Sequence, residues 1–364
     1  MRRKKLKMWT RLETRALKVG NVPVGGGAPV SVQSMANVDP HDATALSAQV
    51  LRSAEQGCDI FRLTVPDVEA AKVLAEVRRS SPIPLVADIH FDYRLALAAI
   101  EAGTDALRLN PGNIGSRDRV QAVARAAKER HVPIRIGVNL GSLQEGLPRT
   151  PEGLCESAMM HLRLLEDEGF RDIVISAKAS GVRETIETYR MLAERTDCPL
   201  HLGVTEAGTV VPGTVRSAVA LGVLLEEGIG DTIRVSLTDS PEREVRVGVE
   251  ILRSLGLRAA GPSITSCPTC GRTKVDLFKV AGEVEAALEA EWLKAAKSGG
   301  ALRPFPRVAV MGCVVNGPGE AKGADVALCG GNGDFILYVN GKQKCRVPEG
   351  EAARRVVENV LLLR

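Results

Sequence analysis

The sequence predicts an α/β protein, an eight-stranded parallel (β/α)8 TIM barrel followed by a smaller α+β domain. Two observations carry this prediction. Short apolar runs alternate with segments of helical periodicity through residues 1–256, as a parallel barrel requires. The composition then changes at residues 256–266, which are rich in Gly, Ala, Pro and Ser, as is typical of a linker. We therefore expect a barrel domain at residues 1–256 and a second domain at residues 257–364.

The barrel prediction rests on eight strand-like runs, one for each position of the fold. They are residues 30–33, 60–65, 85–89, 106–109, 134–138, 173–176, 200–204 and 232–237. Helical periodicity between them is clearest at residues 69–79, 117–130 and 215–227. Because the runs are short and mostly apolar, they fit parallel strands that are covered on both faces.

The second domain is predicted to combine two helices with a small sheet. Apolar residues at helical spacing indicate a helix over residues 275–296, and a second helix is expected at residues 349–363. Strand-like runs lie at residues 308–311, 326–328 and 335–339. The dipeptides Asn332-Gly333 and Asn340-Gly341 are typical of hairpin turns, so we expect antiparallel pairing there.

Composition excludes several classes of protein. The chain has 364 residues, of which 45% are hydrophobic and 25% charged, as in soluble globular proteins with room for two cores. A net charge of +4 and 3% aromatic residues argue against nucleic-acid binding, and no apolar run approaches the roughly 20 residues that span a bilayer. Eight cysteines are too few for a disulfide scaffold, and no apolar segment of a signal peptide follows the basic residues 2–7. We therefore expect a cytoplasmic protein without nucleic-acid or membrane partners.

Basic residues interrupt the predicted barrel strands. Arginine lies inside four apolar runs, and Lys178 follows the sixth; the four arginines are Arg62, Arg108, Arg135 and Arg234. Each arginine is followed within a few positions by a polar or turn residue, which indicates the carboxyl end of its strand. Barrel enzymes assemble their active sites at that face.

Buried cations need neutralising partners, and two explanations are open. One is an internal layer of ion pairs with Asp88, Glu206 and Asp239, which also follow strands. The other is a polyanionic ligand such as a diphosphate, held by guanidinium groups. Five cations against three acids favour the ligand.

Further polar residues follow the same strands. Asp88 and His90 lie at the end of the third strand, Asn110 closes the fourth and Thr205 the seventh, with Gln33 and Ser34 ranked lower at the first. Glu206 is the best candidate for general acid or base catalysis, because a carboxylate that faces a cationic, partly dry pocket can have its pKa tuned.

Two short segments near the C-terminal end offer metal ligands. The first is Cys267-Pro268-Thr269-Cys270, and the second runs from Gly312 to Glu320 and contains Cys313 and Asn316. Gly317-Pro318-Gly319 is predicted to form a turn that brings Glu320 beside Cys313. Thiolates suit iron-sulfur clusters and zinc, whereas a carboxylate is an exchangeable ligand for a site that opens to substrate.

These cysteines also allow other interpretations that do not involve an iron-sulfur cluster. Cys267 and Cys270 could form half of a zinc site or a redox pair, and Cys329 and Cys345 could complete a zinc site with Cys313. The three remaining cysteines, Cys58, Cys155 and Cys198, lie in apolar stretches and are predicted to be small buried side chains.

The chain resembles the 4-hydroxy-3-methylbut-2-en-1-yl diphosphate synthases, which act in the methylerythritol phosphate route to isoprenoids. The two cysteine segments carry the resemblance most specifically. It extends to residues 32–35, 87–90, 108–113, 135–139 and 205–208, and so covers nearly the whole chain. The short length matches the bacterial two-domain form.

The resemblance implies a 4Fe-4S cluster that is ligated by Cys267, Cys270, Cys313 and Glu320. It implies two-electron reduction of 2-C-methyl-D-erythritol 2,4-cyclodiphosphate with ring opening and loss of water, one iron of the cluster binding the substrate oxygen. The residues predicted to be catalytic are Glu206, Asp88, Glu320 and Asn316. Those predicted to bind the substrate are Arg62, His90, Arg108, Asn110, Arg135, Asn139, Lys178, Thr205 and Ser236.

The resemblance also implies partners. Flavodoxin or ferredoxin is expected to supply electrons, and a homodimer is expected in which the cluster domain of one chain caps the barrel of the other. One rival is a phosphate-ester barrel enzyme, a lyase or condensing enzyme, with a structural zinc domain. The other is a nucleic-acid-binding protein that uses the basic residues 2–7 and a zinc knuckle.

Overall fold

The computed structural model describes residues 11–258, 261–297, 305–315 and 317–364, with residues 142, 296, 297, 320 and 321 described by their backbone only. The chain divides into two compact units, Met1–Arg258 and Ala259–Arg364. The basic residues 2–7 lie outside the described part. Within that part, no helix combines the length and apolar character that crossing a membrane requires.

A short hairpin that the sequence did not predict precedes the barrel. It consists of β1 (Leu17–Val19) and β2 (Val22–Val24), which pair antiparallel. Val19 and Val24 pack with Ile60, Val86 and Val174, which lie at or near the first residues of their strands. The hairpin therefore covers the N-terminal end of the barrel, and the C-terminal end is the one left for a site.

Eight parallel strands form the barrel. They are β3 (Ser31–Met35), β4 (Ile60–Thr64), β5 (Leu85–Asp88), β6 (Ala106–Leu109), β7 (Ile134–Asn139), β8 (Ile173–Lys178), β9 (His201–Leu202) and β10 (Thr232–Ile233). Their order in the sheet is β8-β7-β6-β5-β4-β3-β10-β9, and a bridge between Ile175 and Leu200 brings β8 beside β9. The barrel is therefore nearly closed, and the predicted fold class is confirmed.

Helices follow the strands and cover the barrel. They are α1 (Ala43–Glu55), α2 (Val68–Ser80), α3 (Tyr93–Glu101), α4 (Arg117–Glu129), α5 (Pro151–Glu166), α6 (Val182–Arg195), α7 (Val210–Glu226) and α8 (Pro241–Ser254), with short 3-10 turns η1 (Pro111–Asn113) and η2 (Leu140–Ser142). Local sequence sets their starts: Asp42 and Asp67 cap α1 and α2 by accepting main-chain N–H bonds, while proline opens α5 and α8.

Two barrel strands are shorter than the sequence predicted. The predicted runs 200–204 and 232–237 extend beyond β9 and β10, so Arg234 lies just past its strand rather than inside it. Its main-chain N–H still donates to the carbonyl of Leu202, at 3.0 Å. Three residues later the N–H of Leu237 donates to the carboxylate of Glu244, at 2.9 Å, rather than to a neighbouring strand.

The second unit is an α+β domain built on a five-stranded mixed sheet. Its elements are β11 (Ile264–Ser266), α9 (Leu277–Lys297), β12 (Val308–Met311), α10 (Gly317–Ala321), β13 (Val326–Gly330), β14 (Asp334–Val339), β15 (Lys342–Pro348), η3 (Glu349–Glu351) and α11 (Ala352–Leu362). The strands lie in the order β11 to β15, the first three parallel and the last two joined as antiparallel hairpins. Helices α9 and α11 pack with this sheet in one apolar core.

Both predicted hairpin turns are confirmed. Gly333, Asn340 and Gly341 have positive φ angles of 83°, 50° and 72°, which Gly and Asn adopt at little steric cost. Two strands were missed. β11 lies within the predicted linker, and β15 is an edge strand whose first five residues are exposed, so it lacks the apolar pattern that identifies a strand.

Candidate active site and candidate metal centre

Five cations gather at the C-terminal half of the barrel. Arg62 and Arg108 occupy the third positions of β4 and β6, Arg135 the second of β7, and Lys178 the last of β8, while Arg234 follows β10. In β4 the neighbours Phe61 and Leu63 belong to the apolar core, so alternation directs Arg62 to the barrel interior. Arg108, Arg135 and Lys178 are only 9%, 5% and 7% exposed. The cations therefore form one partly dry cluster, the barrel cation cluster.

Two carboxylates pair with this cluster. Asp88 Oδ1 lies 3.1 Å from Arg108 Nη1, and its Oδ2 lies 3.6 Å from Arg62 Nε. Glu244 Oε1 lies 3.2 Å from Arg234 Nη2. Both carboxylates are buried, with exposures of 2% and 4%. Within the described part of the chain the barrel cation cluster thus keeps an excess of three positive charges.

The excess falls mainly on Arg135 and Lys178. Arg135 Nη1 donates to the amide oxygen of Gln33, while its Nη2 is buried without a hydrogen-bond partner among the described residues. Lys178 Nζ lies 3.4 Å from His201 Nε2, an uncharged partner. A buried guanidinium nitrogen without an acceptor is costly. Both side chains are therefore suited to an incoming anion.

The pKa values of the cluster are shifted by burial and by the repulsion among its positive charges. Burial, followed by neighbouring positive charges, lowers the pKa of Lys178 and Arg135 well below their ordinary values. The pKa of Arg62 falls to about 10, chiefly because of burial. Burial opposes ionisation of Asp88, but Arg62 and Arg108 outweigh it and lower the pKa of this carboxyl. A bound polyanion would relieve the repulsion among the cations.

Most predicted substrate-binding residues outside the cation cluster surround the same barrel mouth. Asn110 is buried, and its side-chain oxygen accepts the N–H of Gly137 at 2.8 Å. Asn139 is the last residue of β7, and Thr205 and Ser236 lie three residues beyond β9 and β10; all three are half-buried. His90, two residues beyond β5, is exposed. The structure thus places these residues at the carboxyl ends of the barrel strands.

Glu206 is exposed and has a strained backbone. Its φ angle is 52°, in the left-handed region that residues other than glycine rarely adopt. Such strain is concentrated at functional sites. The alternative in which Glu206 and Asp239 belong to an internal ion-pair layer is wrong, because Glu206 lies at the surface and Asp239 pairs with Arg243, at 3.4 Å.

Sequence reasoning missed Glu244 and His201. Glu244 accepts the hydroxyl of Ser34 at 2.7 Å in addition to its bonds to Arg234 and Leu237. A signal for it existed, because Glu244 shares the buried face of α8 with Gly248 and Ile251 and is a charged residue at an apolar position. His201 stands between two leucines in an apolar run, and only its spatial contact with Lys178 distinguishes it.

The thiols predicted to bind metal lie near one edge of the second sheet. Cys267 follows β11 directly and Cys313 comes two residues after β12, and these parallel strands end side by side. Cys270 is exposed, after Thr269 with its φ of 67°. The N–H of Gly312 donates to Cys267 Sγ at 3.3 Å. None of the three cysteines is in a disulfide, and the donor chemistry of their thiols fits a soft metal or iron-sulfur group.

The side chains that the structure describes do not form a preassembled metal site. Among the described residues, no three His, Cys, Asp or Glu side chains converge in the way that metal coordination requires. Two predicted site residues cannot be placed: Asn316 lies outside the described residues, and so does the side chain of Glu320.

The predicted turn at Gly317-Pro318-Gly319 is wrong, because these residues open the short helix α10. Proline is well accommodated in the first turn of a helix, and the N–H of Gly317 bonds to the carbonyl of Cys313 at 3.2 Å. A Cβ at Gly317 would lie 2.7 Å from Cys329 Sγ, so glycine allows close packing over that thiol.

The remaining cysteines behave as structural residues. Cys58, Cys155 and Cys198 are buried, as predicted. Cys329 is buried in β13, and burial followed by the proximity of Cys313 raises the pKa of its thiol to about 12. Cys345 is exposed on β15, with β14 between it and Cys329, a separation of roughly 10 Å. A zinc site of Cys313, Cys329 and Cys345 is therefore not formed.

The nearly closed barrel with its cationic mouth and the thiol-bearing second unit are the features of a TIM-barrel enzyme for an anionic substrate. The chain belongs to the GcpE family: the GcpE TIM-barrel domain matches residues 14–249, and the GcpE protein C-terminal domain matches residues 263–361. The predicted family resemblance is thereby confirmed.

Curated relatives share this organisation over nearly their full length. The relative in Geobacter sulfurreducens is 53% identical over 353 residues, which are 96% of this chain and 97% of the relative. The relative in Symbiobacterium thermophilum is 53% identical, and the match covers 97% of this chain and 94% of the relative. That in Maridesulfovibrio salexigens is 54% identical, covering 92% of each. All three are named 4-hydroxy-3-methylbut-2-en-1-yl diphosphate synthase (flavodoxin).

Solved structures show similarity of the barrel fold. The dihydropteroate synthase of Xanthomonas albilineans, solved with 4-aminobenzoic acid, has a TM-score of 0.51 at 15% identity. The match covers 67% of this chain and 97% of that one. At this identity the likeness concerns the fold alone. The alternative of a phosphate-ester lyase or condensing enzyme is not favoured over the family activity.

Proposed function

We propose that this chain reduces 2-C-methyl-D-erythritol 2,4-cyclodiphosphate to 4-hydroxy-3-methylbut-2-en-1-yl diphosphate. The reaction takes up two electrons, opens the cyclic diphosphate and releases one hydroxyl as water. The observation that carries the proposal is family membership across both domains, with relatives of this name at 53% and 54% identity. The chain is accordingly an iron-sulfur oxidoreductase of isoprenoid biosynthesis.

The barrel cation cluster is proposed to hold the diphosphate. Its excess positive charge and the unpartnered Nη2 of Arg135 support this role, because guanidinium groups bind phosphate oxygens in two-point contacts. The cations proposed to contact the diphosphate are Arg62, Arg108, Arg135 and Lys178, and Arg234, the fifth member of the cluster, lies beside them. Asn110, Asn139, Thr205, Ser236 and His90 surround them with hydrogen-bonding groups. Asp88 holds Arg62 and Arg108 in place and partly offsets their charge.

The second unit is proposed to hold a 4Fe-4S cluster through Cys267, Cys270, Cys313 and Glu320. When bound, this group supplies low-potential electrons and a Lewis acid for the departing oxygen. Its fit to the chain rests on three thiols near one sheet edge, none of them in a disulfide, and on the N–H of Gly312, which donates to Cys267 Sγ.

Within this proposal the chain's own residues orient the substrate and move protons. The cations fix the diphosphate, which stays on the product, so that the reacting carbon atoms keep one orientation. Glu206 is proposed to handle the proton that the hydroxyl needs in order to leave as water. Its position on a strained, exposed turn beyond β9 supports a role at the barrel mouth. Asn316 is proposed to orient the substrate oxygen.

The partners follow from the same assignment. Flavodoxin is the electron donor that the relatives' names indicate, and ferredoxin stays an alternative. The homodimer in which each cluster domain caps the partner barrel is a further proposal, motivated by two clusters of functional residues on separate units. The cytoplasmic location expected from the sparse cysteines also stays a prediction.

Single substitutions test the ligand set after anaerobic purification. The unchanged chain is expected to contain about four iron and four acid-labile sulfide atoms. Cys267→Ser, Cys270→Ser and Cys313→Ser should each lose more than about half of both, because a lost thiolate weakens the whole cluster. Glu320→Ala should lower either cluster content or turnover.

Cys345→Ser is the matched control, because Cys345 is also exposed but lies on β15. It should keep the iron and sulfide of the unchanged chain. Stoichiometric zinc without labile sulfide in the unchanged chain would end the cluster proposal and restore the structural zinc alternative.

A further inference from the structure

Lys178 extends into the barrel with a histidine as its nearest polar partner. Its Nζ lies 3.4 Å from His201 Nε2, and the two side chains are buried, with residue exposures of 7% and 0%. In the part of the chain that the structure describes, no carboxylate lies within ion-pair distance of Lys178. This differs from Arg62, Arg108 and Arg234, which each contact a buried carboxylate.

The histidine ring is held from its other side. His201 Nδ1 lies 3.4 Å from Thr232 Oγ1, and the two residues are register partners in β9 and β10. The hydroxyl of buried Tyr189 donates to the carbonyl of His201, at 2.6 Å. Because an ammonium group only donates, we assign the acceptor role to Nε2 and the proton to Nδ1, which then donates to Thr232.

The surroundings keep this imidazole uncharged. Burial, followed by the charges of Arg135 and Lys178, lowers the pKa of His201 well below its ordinary value. A neutral ring accepts a hydrogen bond from Lys178 without neutralising its charge, which a carboxylate would do. Gly203 supplies the space, since a Cβ there would lie 2.8 Å from Lys178 Nζ.

We propose that His201 is a positioning residue, which holds Lys178 in the barrel mouth as a charged donor reserved for the anionic substrate. The inference rests on the proposed function, because it takes the bound group to be a diphosphate. His201 itself acts through Lys178 and through no other group of the site. Thr232 accepts a hydrogen bond from Nδ1 of His201 and thereby fixes the neutral tautomer whose Nε2 is the acceptor.

Substitutions at His201 separate this role from simple packing. His201→Gln offers an acceptor near the position of Nε2 and should keep the KM for the cyclodiphosphate within about threefold. His201→Leu retains the volume but removes the acceptor, and it should raise KM about tenfold with kcat changed less than about threefold. His201→Glu should raise KM at least as much, because its carboxylate neutralises Lys178. An equal KM in the Gln and Leu variants would overturn the inference.

A double-mutant cycle tests whether His201 acts through Lys178. In a Lys178→Met background, His201→Leu should change KM by less than about twofold, because its target is gone. Independent, multiplying effects of the two substitutions would contradict the inference. If His201→Leu does not fold, Thr232→Val provides the same test, since it removes only the hydroxyl and should raise KM about threefold.

Calorimetric titration with inorganic pyrophosphate separates this inference from the proposed function. The probe reports on the anion site without turnover, and its affinity should follow the order unchanged chain, His201→Gln, His201→Leu. If the unchanged chain binds pyrophosphate in this order but does not reduce the cyclodiphosphate, the positioning role stands and the proposed reaction fails. If it reduces the substrate and His201→Leu matches it in both KM and pyrophosphate affinity, the positioning role alone fails.

Discussion

At the scale of single residues, the barrel mouth is organised around buried charges of unequal number. Five cations face two buried carboxylates, and Arg135 and Lys178 have only neutral partners among the described residues. The cations could be predicted from the sequence, because arginine is unusual inside an apolar parallel strand that is covered on both faces. The roles of Glu244 and His201 could not be predicted, because they depend on contacts across the barrel that are not visible in the local sequence.

Asp88→Asn should destabilise the barrel. The carboxylate pairs with Arg62 and Arg108 in a buried setting, and removal of one partner leaves buried charges uncompensated, at a cost of about 3 kcal/mol at pH 7. The pKa of Asp88 is lowered in the folded chain, so its contribution is present above the unfolded pKa and is lost as pH falls through the folded one. The difference in unfolding free energy should therefore stay constant from pH 7 to about 5 and shrink below about 4.

Denaturant unfolding at several pH values checks this expectation. Glu69→Gln is the control, because Glu69 forms an exposed pair with Lys72 at 2.7 Å and should cost less than about 0.5 kcal/mol. Equal, small effects of the two substitutions would show that the Asp88 pairs do not stabilise the barrel.

At the scale of elements, tertiary contacts determine where the strands of the site end. The eight strand positions follow from the alternating pattern, yet β9 and β10 contain only two residues each, and Glu244 takes over the N–H of Leu237. The helix α10 stands where a turn was predicted, and its first residue, Gly317, packs over Cys329. The bond to Glu244 and the contact with Cys329 each involve a side chain distant in sequence, which a local propensity does not contain.

Gly137 in β7 provides a test of how an element positions a cation. Arg108 Nη2 donates to the carbonyl of Gly137 at 2.6 Å, and a Cβ at this residue would lie 2.1 Å from Arg108 Nε. Gly137→Ala should therefore displace the guanidinium and raise the KM for the cyclodiphosphate about tenfold, with a smaller change in kcat.

The matched control is Gly141→Ala in the adjacent η2, where a Cβ would meet nothing within 4 Å. Steady-state kinetics of both variants should show KM within about twofold of the unchanged chain for Gly141→Ala. A KM for Gly137→Ala that matches the control would mean that the position of Arg108 does not matter for substrate binding.

At the scale of the whole molecule, the fold and family could be predicted and are confirmed, whereas the ligand set of the metal centre stays a prediction. Eight strand-like runs that alternate with helices are what a parallel barrel requires, and the two cysteine segments carry the family resemblance. The thiols, however, lie in two segments 43 residues apart from Cys270 to Cys313, so their meeting depends on how β11 and β12 pair. In the proposed function the two units therefore divide the chemistry, with anion binding assigned to one and soft ligands to the other.

The most direct test is turnover of 2-C-methyl-D-erythritol 2,4-cyclodiphosphate by the anaerobically purified chain with reduced flavodoxin. We predict one 4-hydroxy-3-methylbut-2-en-1-yl diphosphate for every two electrons consumed, in a preparation with about four iron and four labile sulfide atoms per chain. A preparation with that full iron and sulfide content that leaves the cyclodiphosphate unchanged with reduced flavodoxin, ferredoxin and an artificial reductant would contradict the proposed function.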